Sequence, residues 1–93
     1  MITSSHDDKY GSHLRFKFPY ATLSLYWNSE GINTRYAQCD HETVELAIYR
    51  PDVDDKSSWL TQQCFPDCGD DVLAYGSEQD VRKAMNFAAN YRP

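Results

Sequence analysis

The sequence predicts an α+β fold in which one C-terminal helix packs on one face of an antiparallel sheet of about four to five strands. Two observations carry this prediction. Several stretches alternate apolar and polar residues with a period of two, and the last stretch places apolar residues at helical spacing. Short connections between the alternating stretches favour antiparallel neighbours. We therefore expect one sheet face to be covered by the helix and the other to be partly open.

The chain is long enough for one domain. Its 93 residues support one hydrophobic core, and seven Tyr, four Phe and two Trp can fill a small core efficiently. Residues 1–12 are polar and predict a disordered or frayed tail. The single α+β domain is then expected to span residues 13–93.

Two alternating stretches at the start of this domain predict a hairpin. In residues 14–18 the apolar side chains have even numbers, whereas in residues 21–27 they have odd numbers, as in Leu23 and Leu25. A change of parity reverses the faces of a continuous strand, so the chain must turn between the two stretches. Pro19 cannot donate to a strand ladder, which indicates either a turn near Pro19 and Tyr20 or a strongly bulged strand.

The middle of the chain alternates between loops and strands. Residues 28–40 are polar and predict a long loop, and loops of that length are often functional. Residues 43–49 form the clearest predicted strand, with Val44, Leu46 and Ile48 facing inward and Glu45 outward. After a turn over residues 51–58, residues 59–61 predict a short strand. Residues 64–69 predict an irregular loop, and residues 71–75 a last strand that stops at Gly76.

A helix is predicted from Ser77 onward. The Ser77 hydroxyl can accept from the backbone N–H of Asp80, and Asp80 can reach back, as in a capping box. Glu78 also suits the positive end of the helix dipole. The apolar face then repeats at helical spacing through Val81, Ala84, Met85, Ala88 and Tyr91. Its small residues favour close packing on a sheet, so we expect the helix to act as scaffold.

Charge and hydropathy restrict the functional class. The net charge of −5 and the pI of about 4.9 argue against direct nucleic-acid binding and against an anionic membrane surface. They permit a protein partner with a basic surface. The sequence has no apolar run of transmembrane length and no signal-peptide pattern at its start, which predicts a cytoplasmic protein with reduced cysteines.

Four residues form a candidate zinc site. Cys39, His41, Cys64 and Cys68 are of the types that zinc prefers, but neither pair has the common two-residue spacing. The alternative is three unrelated thiols. A thiol nucleophile served by His41 is disfavoured because no third group is placed to orient the histidine. We therefore predict neither a cofactor nor a metal, and no catalytic residues, so that the protein is not an enzyme.

Two acidic clusters and an excess of aromatic residues indicate where a partner would bind. The carboxylates can serve as turn residues, bind a divalent cation, or mimic nucleic-acid phosphates toward a basic groove. Tyr and Trp are enriched at interface hot spots, and Tyr36 and Tyr49 are the best candidates for exposure. The predicted partner-binding residues are Tyr36, Tyr49, Asp52, Asp54, Asp55, Asp67, Asp70 and Asp71.

Three stretches together resemble a loose group of small uncharacterised phage-encoded proteins. They are residues 18–27, residues 44–49 (VELAIY) and residues 70–77 (DDVLAYGS), the last leading into the helix. That group shares an early hairpin, a strand of the type E-L/V-A-I/V and a segment D-D-V-x-G-Y before a C-terminal helix. Ala74 departs from the pattern, since the group often has Gly before the Tyr. The group brings no known catalytic residues.

The resemblance implies a phage or prophage context. Small acidic single-domain phage proteins are often inhibitors of host machinery, and anti-CRISPR proteins have a similar size and charge. The function expected from this is a non-enzymatic inhibitor that acts in the host cytoplasm by blocking a host defence protein or ribonucleoprotein complex. The alternatives are a phage structural or assembly protein that self-associates, for example as a homodimer, and a small zinc-binding protein.

Overall fold

A computed structural model describes residues 2–8, 11–27, 39, 42–53 and 58–93. Within these residues, five strands form one sheet in chain order: β1 (Ile2–Asp8), β2 (Gly11–Lys17), β3 (Thr22–Trp27), β4 (Val44–Tyr49) and β5 (Leu73–Gly76). Every neighbouring pair is antiparallel. Two helices complete this part of the chain, α1 (Thr61–Cys64) and α2 (Glu78–Asn90). The predicted α+β class, with an antiparallel sheet and a C-terminal helix, is confirmed.

The predicted turn near Pro19 and Tyr20 is present between β2 and β3. The backbone N–H of Phe18 donates to the carbonyl of Ala21 at 2.9 Å, which closes the turn. Beyond it, Phe16 pairs with Leu23 and Leu14 with Leu25. The change of parity in the sequence therefore corresponds to a hairpin that places both apolar sets on the same sheet face.

The core lies between this sheet face and the helices. Leu23 of β3 and Ile48 of β4 are fully buried, and Ala84 and Ala88 of α2 belong to the same cluster. The two alanines allow α2 to approach β3, β4 and β5 closely. Full burial of a Leu or Ile side chain contributes about 1.5–3 kcal/mol, so this layer contact accounts for much of the stability. Within the described residues, neither helix has the length and apolar composition needed to cross a bilayer.

The first residues do not form the predicted frayed tail. Ile2–Asp8 is strand β1, and it pairs with β2 from Ile2 opposite Phe16 to Asp8 opposite Gly11, with one irregularity between Ile2 and Ser4. The prediction of a tail over residues 1–12 was wrong because it relied on apolar burial. A polar strand can instead be held by the backbone hydrogen bonds of its ladder, which do not depend on side-chain polarity.

The predicted strand over residues 59–61 is also corrected. Trp59 forms an isolated bridge with Tyr49, and the N–H of Leu60 donates to the carbonyl of Ile48 at 2.8 Å. At Thr61 the chain instead enters α1, where the N–H of Phe65 donates to the Thr61 carbonyl at 2.8 Å. The Thr61 hydroxyl replaces a strand carbonyl and accepts from the N–H of Ile48 at 2.9 Å.

Strand β5 begins and ends later than the sequence suggested. It covers Leu73–Gly76 rather than residues 71–75, and Gly76 pairs with Val44 instead of stopping the strand. A Cβ at Gly76 would lie 3.1 Å from Leu46 Cδ2 and 3.2 Å from the Val44 carbonyl oxygen. Gly76 therefore allows β4 and β5 to approach closely, because a side chain at this position would contact the neighbouring strand.

Tyr75 adopts a backbone conformation that is rare for a residue with a side chain. Its φ is 55°, within the left-handed region, and it lies where the register between β4 and β5 shifts. Residues with a Cβ are disfavoured at this φ, whereas glycine is not. We therefore expect the Tyr75→Gly protein to be more stable than the Tyr75→Ala protein by about 1 kcal/mol. Urea unfolding of the two variants measures the difference. The neighbouring Ala74→Gly serves as control and should show the usual loss, so a Tyr75→Gly that is less stable than Tyr75→Ala contradicts this account.

The N-terminus of α2 is capped as predicted. The Ser77 hydroxyl accepts from the N–H of Asp80 at 3.1 Å, and the Asp80 carboxylate accepts from the N–H of Ser77 at 2.9 Å. Glu78 lies in the first turn and pairs with Arg82 at 2.6 Å on the exposed surface. The predicted helix start at Ser77 is thus confirmed.

Loss of this cap should lower the stability of the domain. We expect Ser77→Ala to reduce the free energy of unfolding by about 0.5–2 kcal/mol, since the backbone N–H of Asp80 loses the hydroxyl oxygen that accepts from it. Chemical denaturation measures this change, and Ser77→Asn, which keeps a capping oxygen, should stay close to the unaltered protein. If Ser77→Ala and Ser77→Asn unfold alike, the capping box does not stabilise α2.

Candidate functional site

The sheet face opposite α2 carries mostly polar and aromatic side chains. Because side chains alternate along strands, the register places on one face those residues of β2, β3 and β4 that do not enter the core. We call this set the open face, and it comprises His13, Arg15, Lys17, Thr22, Ser24, Tyr26, Glu45, Ala47 and Tyr49. Exposure varies across it: Arg15 and Lys17 are exposed, whereas Thr22 and Ala47 are buried.

An aromatic pair lies at the end of β4 on this face. The rings of Tyr49 and Trp59 are 5.8 Å apart between centroids and 62° between planes, an edge-to-face contact. The backbone bridge between the two residues fixes this arrangement. Trp59 remains 40% exposed, although a tryptophan is among the largest apolar side chains that a protein can bury. Trp59 was not among the predicted binding residues, because its position depends on its bridge with Tyr49, ten residues earlier in the chain.

A concavity of about 300 Å³ adjoins the aromatic pair. Its lining consists of Arg15, Ser24, Ala47, Tyr49, Ser58 and Trp59. Strands β2, β3 and β4 contribute Arg15, Ser24 and Ala47 as direct cross-strand partners. The small side chains of Ser24 and Ala47 lie between the larger Arg15 and Tyr49, which leaves the depression in the sheet surface.

His13 and Ser24 form a polar contact beside this concavity. Their atoms Nε2 and Oγ are 2.7 Å apart, and the His13 ring lies 5.0 Å from the Tyr26 ring. A Ser–His contact is one part of a nucleophilic site. Acyl transfer also needs N–H donors for the developing oxyanion, and the N–H groups around Ser24 are committed to the ladders of β3 with its two neighbours. The contact orients the Ser24 hydroxyl beside the concavity.

Thr61 connects the aromatic pair to the acidic turn, which we define as residues 66–71 with Asp67, Asp70 and Asp71. The Thr61 side chain is fully buried. Its hydroxyl donates to the carbonyl of Asp71 at 2.6 Å while accepting from Ile48, the residue before Tyr49. Two of the predicted binding elements, Tyr49 and the acidic turn, are thus connected through Thr61, and Trp59 lies against the first of them.

The acidic turn uses one of its carboxylates locally. Asp70 Oδ1 accepts from the N–H of Asp71 at 2.7 Å, and Cys68 Sγ donates to the Asp70 carbonyl at 3.2 Å. This is the turn role of Asp. Asp67 and Asp70 are nevertheless exposed, and Asp71 is half-buried, so negative charge reaches solvent here.

Asp52 lies apart from this turn and is paired. Its carboxylate contacts the Arg50 guanidinium at 3.1 Å, and this hydrogen bond lowers the pKa of Asp52 and raises that of Arg50. Both groups are accessible to water, so the pair contributes little to stability. It does reduce the negative charge that Asp52 presents to a partner. The remaining predicted residues Tyr36, Asp54 and Asp55 lie outside the described residues.

The candidate zinc ligands are only partly described. Cys39 and Cys64 are buried, Cys68 is half-buried, and His41 lies outside the described residues. Across the described part of the chain, no group of three or more His, Cys, Asp or Glu side chains is placed to hold a metal ion. The zinc hypothesis receives no support from this arrangement.

Burial differs between the thiols of Cys64 and Cys68, since Cys64 is buried and Cys68 is half-buried. Desolvation raises the pKa of the Cys64 thiol, with the charge of Lys83 acting in the opposite direction. A raised pKa means less of the reactive thiolate at a given pH, and burial also limits access. We therefore expect iodoacetamide at pH 8 to alkylate Cys68 before Cys64, as read by peptide mass spectrometry. Equal rates in folded protein would contradict this, and unfolding in urea, the control condition, should remove the difference.

Comparisons with protein-family models, with curated proteins and with solved structures returned no match to this chain. The resemblance to small phage-encoded proteins therefore stays a prediction. The fold and the site define the chain as a small α+β domain that presents a polar and aromatic sheet face beside an acidic turn.

Proposed function

We propose that this chain is a phage-encoded, non-enzymatic inhibitor that binds and blocks a host defence protein or ribonucleoprotein complex, in the manner of anti-CRISPR proteins. Its small size, its net charge of −5 and the phage-like sequence pattern support the proposal. The observation that carries it is the exposed Trp59, held against Tyr49 and tied through Thr61 to the acidic turn.

The arrangement has the chemistry of a protein-binding edge. Rigid aromatic side chains supply contact area at low entropic cost, and Trp and Tyr are enriched among the residues that dominate binding energy. The exposed carboxylates of Asp67 and Asp70 would then lie at the rim and favour a basic partner surface by steering its approach. The proposed partner contact is protein rather than nucleic acid.

An inhibition assay with a matched pair of variants tests the proposal. Tagged protein is used to capture a complex from a bacterial lysate, and the activity of the captured complex is measured with and without the chain. We expect Trp59→Ala to lose capture and inhibition together. Tyr20→Ala is the control, because Tyr20 is 43% exposed, slightly more than Trp59 at 40%, but lies in the turn between β2 and β3.

Two results would contradict the proposal. One is a captured complex whose activity the chain does not change. The other is an equal loss of capture and inhibition in the Trp59 and Tyr20 variants, which would indicate nonspecific adsorption instead of a defined binding site.

Self-association is the second candidate function, and the position of β1 favours it. In the described sheet β1 is an outer strand of seven residues, and outer strands are templates for pairing with another chain. Light scattering over a range of concentrations tests this candidate. A stable dimer would support a structural or assembly role, whereas a monomer at all concentrations would count against it.

A further inference from the structure

We propose that the concavity on the open face binds an aromatic side chain that lies next to a carboxylate, presented by an acidic segment of a protein partner. This goes beyond the proposed function, because the binding reaction requires neither a host defence complex nor inhibition. The charge of the concavity is also opposite to that of the acidic turn: the concavity would attract an acidic group, whereas the acidic turn favours basic groups.

The walls and size of the concavity favour an aromatic group. Its volume of about 300 Å³ is enough for one large side chain. The rings of Tyr49 and Trp59 form one wall, and the methyl group of Ala47 provides a shallow base. Aromatic rings prefer edge-to-face or offset contacts with one another, and such contacts stabilise a pair beyond the area that it buries.

The opposite wall supplies positive charge. Arg15 lines the concavity, and Lys17 follows it on the same face of β2. Lys17 pairs with Thr22, which in turn pairs with Tyr49, so this second cation lies in the row that leads to the aromatic pair. The Arg15 guanidinium has five N–H donors in a planar fork, so it can donate to a carboxylate while it also donates to another acceptor.

Two hydroxyl groups complete the lining. Ser24 lies between Arg15 and Ala47 across the three strands, and its Oγ is held by His13 Nε2 at 2.7 Å. Ser58 lies at the other end beside Trp59. The concavity thus has aromatic side chains, hydroxyl groups and a cation in one lining, which matches a ring flanked by an acidic group.

Three blocked tripeptides separate the contributions of ring and charge. The probes are acetyl-Asp-Phe-Glu-amide, its neutral isostere acetyl-Asn-Phe-Gln-amide, and acetyl-Asp-Ala-Glu-amide, which lacks the ring. Each is titrated into the isotope-labelled protein while amide shifts are followed by NMR. We expect the first peptide to shift amides of β2, β3, β4 and Ser58, with affinity about threefold or more above both controls, as expected of an accessible ion pair.

Variants assign the effect to the concavity. Arg15→Gln should reduce the affinity of the acidic aromatic peptide to that of its neutral isostere and leave the isostere unchanged. Ala47→Leu should fill the base and weaken both aromatic peptides, and Trp59→Ala provides the same test if Ala47→Leu does not fold. Lys83→Gln removes one positive charge from α2, away from the open face, and should change nothing beyond the general effect of net charge.

The proposal fails under any of three outcomes. Equal affinity for the acidic and neutral aromatic peptides removes the role of Arg15. Equal affinity for the peptides with Phe and Ala removes the role of the aromatic pair. Shifts confined to residues outside the open face, or no shifts at millimolar peptide, show that the concavity does not bind this class of group. Because all three are read on the isolated chain, none depends on the inhibition assay.

Discussion

Thr61→Val is expected to destabilise the domain by about 2–4 kcal/mol, although the two side chains have nearly the same shape. The hydroxyl of Thr61 is fully buried and serves two backbone groups, the N–H of Ile48 at 2.9 Å and the carbonyl of Asp71 at 2.6 Å. A methyl group in its place removes the acceptor of the buried Ile48 N–H and the donor to the part-buried Asp71 carbonyl. An unsatisfied buried group costs roughly 1–3 kcal/mol.

The matched control for this change is Thr61→Ser. Serine keeps the hydroxyl and removes one methyl group, so the expected loss is about 1 kcal/mol. Urea unfolding followed by far-ultraviolet circular dichroism measures both variants. If the Val variant is as stable as the Ser variant, the Thr61 hydroxyl does not hold the acidic turn to β4. That result would also contradict the proposed connection between Trp59 and the acidic turn.

Leu23→Ala is expected to cost about 2–5 kcal/mol, the range for removing a large apolar side chain from a core that relaxes incompletely. Leu23 is fully buried on the central strand β3, opposite Phe16 on one side and Ile48 on the other. Helix α2 packs against the same strand, so the cavity left behind would have walls on both layers.

Leu73→Ala is the control for the core position. Leu73 is only half-buried and lies on the outer strand β5, where the surroundings can relax into the space. Its loss should therefore be smaller than that of Leu23→Ala in the same thermal or urea unfolding experiment. Equal losses at the two positions would indicate that the core is not centred on the contact between β3, β4 and α2.

The parts of the fold that the sequence predicted share a strong one-sided pattern. Strand β4 has Leu46 and Ile48 on the buried face, and α2 has both a capping box at Ser77 and buried alanines at helical spacing. Where one face must be buried, a shift by one residue exposes the whole apolar set, so pattern and structure agree. Strand β1 lacks such a pattern and was missed, as was α1, which has only four residues.

The candidate site was predictable only in part, for a related reason. The outward parity of Tyr49 was evident from the alternation of β4, but its contact with Trp59 depends on a bridge that closes a long turn. The concavity depends on the register of three strands, which brings Arg15, Ser24 and Ala47 side by side. No local pattern specifies that register. Conversely, counting carboxylates overstated the available charge, because Asp52 is paired with Arg50.

The position of α2 in the chain has a consequence for synthesis. The helix follows the five strands of the described residues, yet it supplies Ala84 and Ala88 to the core that covers β3 and β4. A ribosome therefore delivers strands β1 to β5 before the helix that shields Leu23 and Ile48 from water. During that interval the nascent chain exposes an apolar sheet face, the kind of surface that chaperones bind and that promotes aggregation. Folding of this domain should accordingly be completed only after the helix has left the exit tunnel.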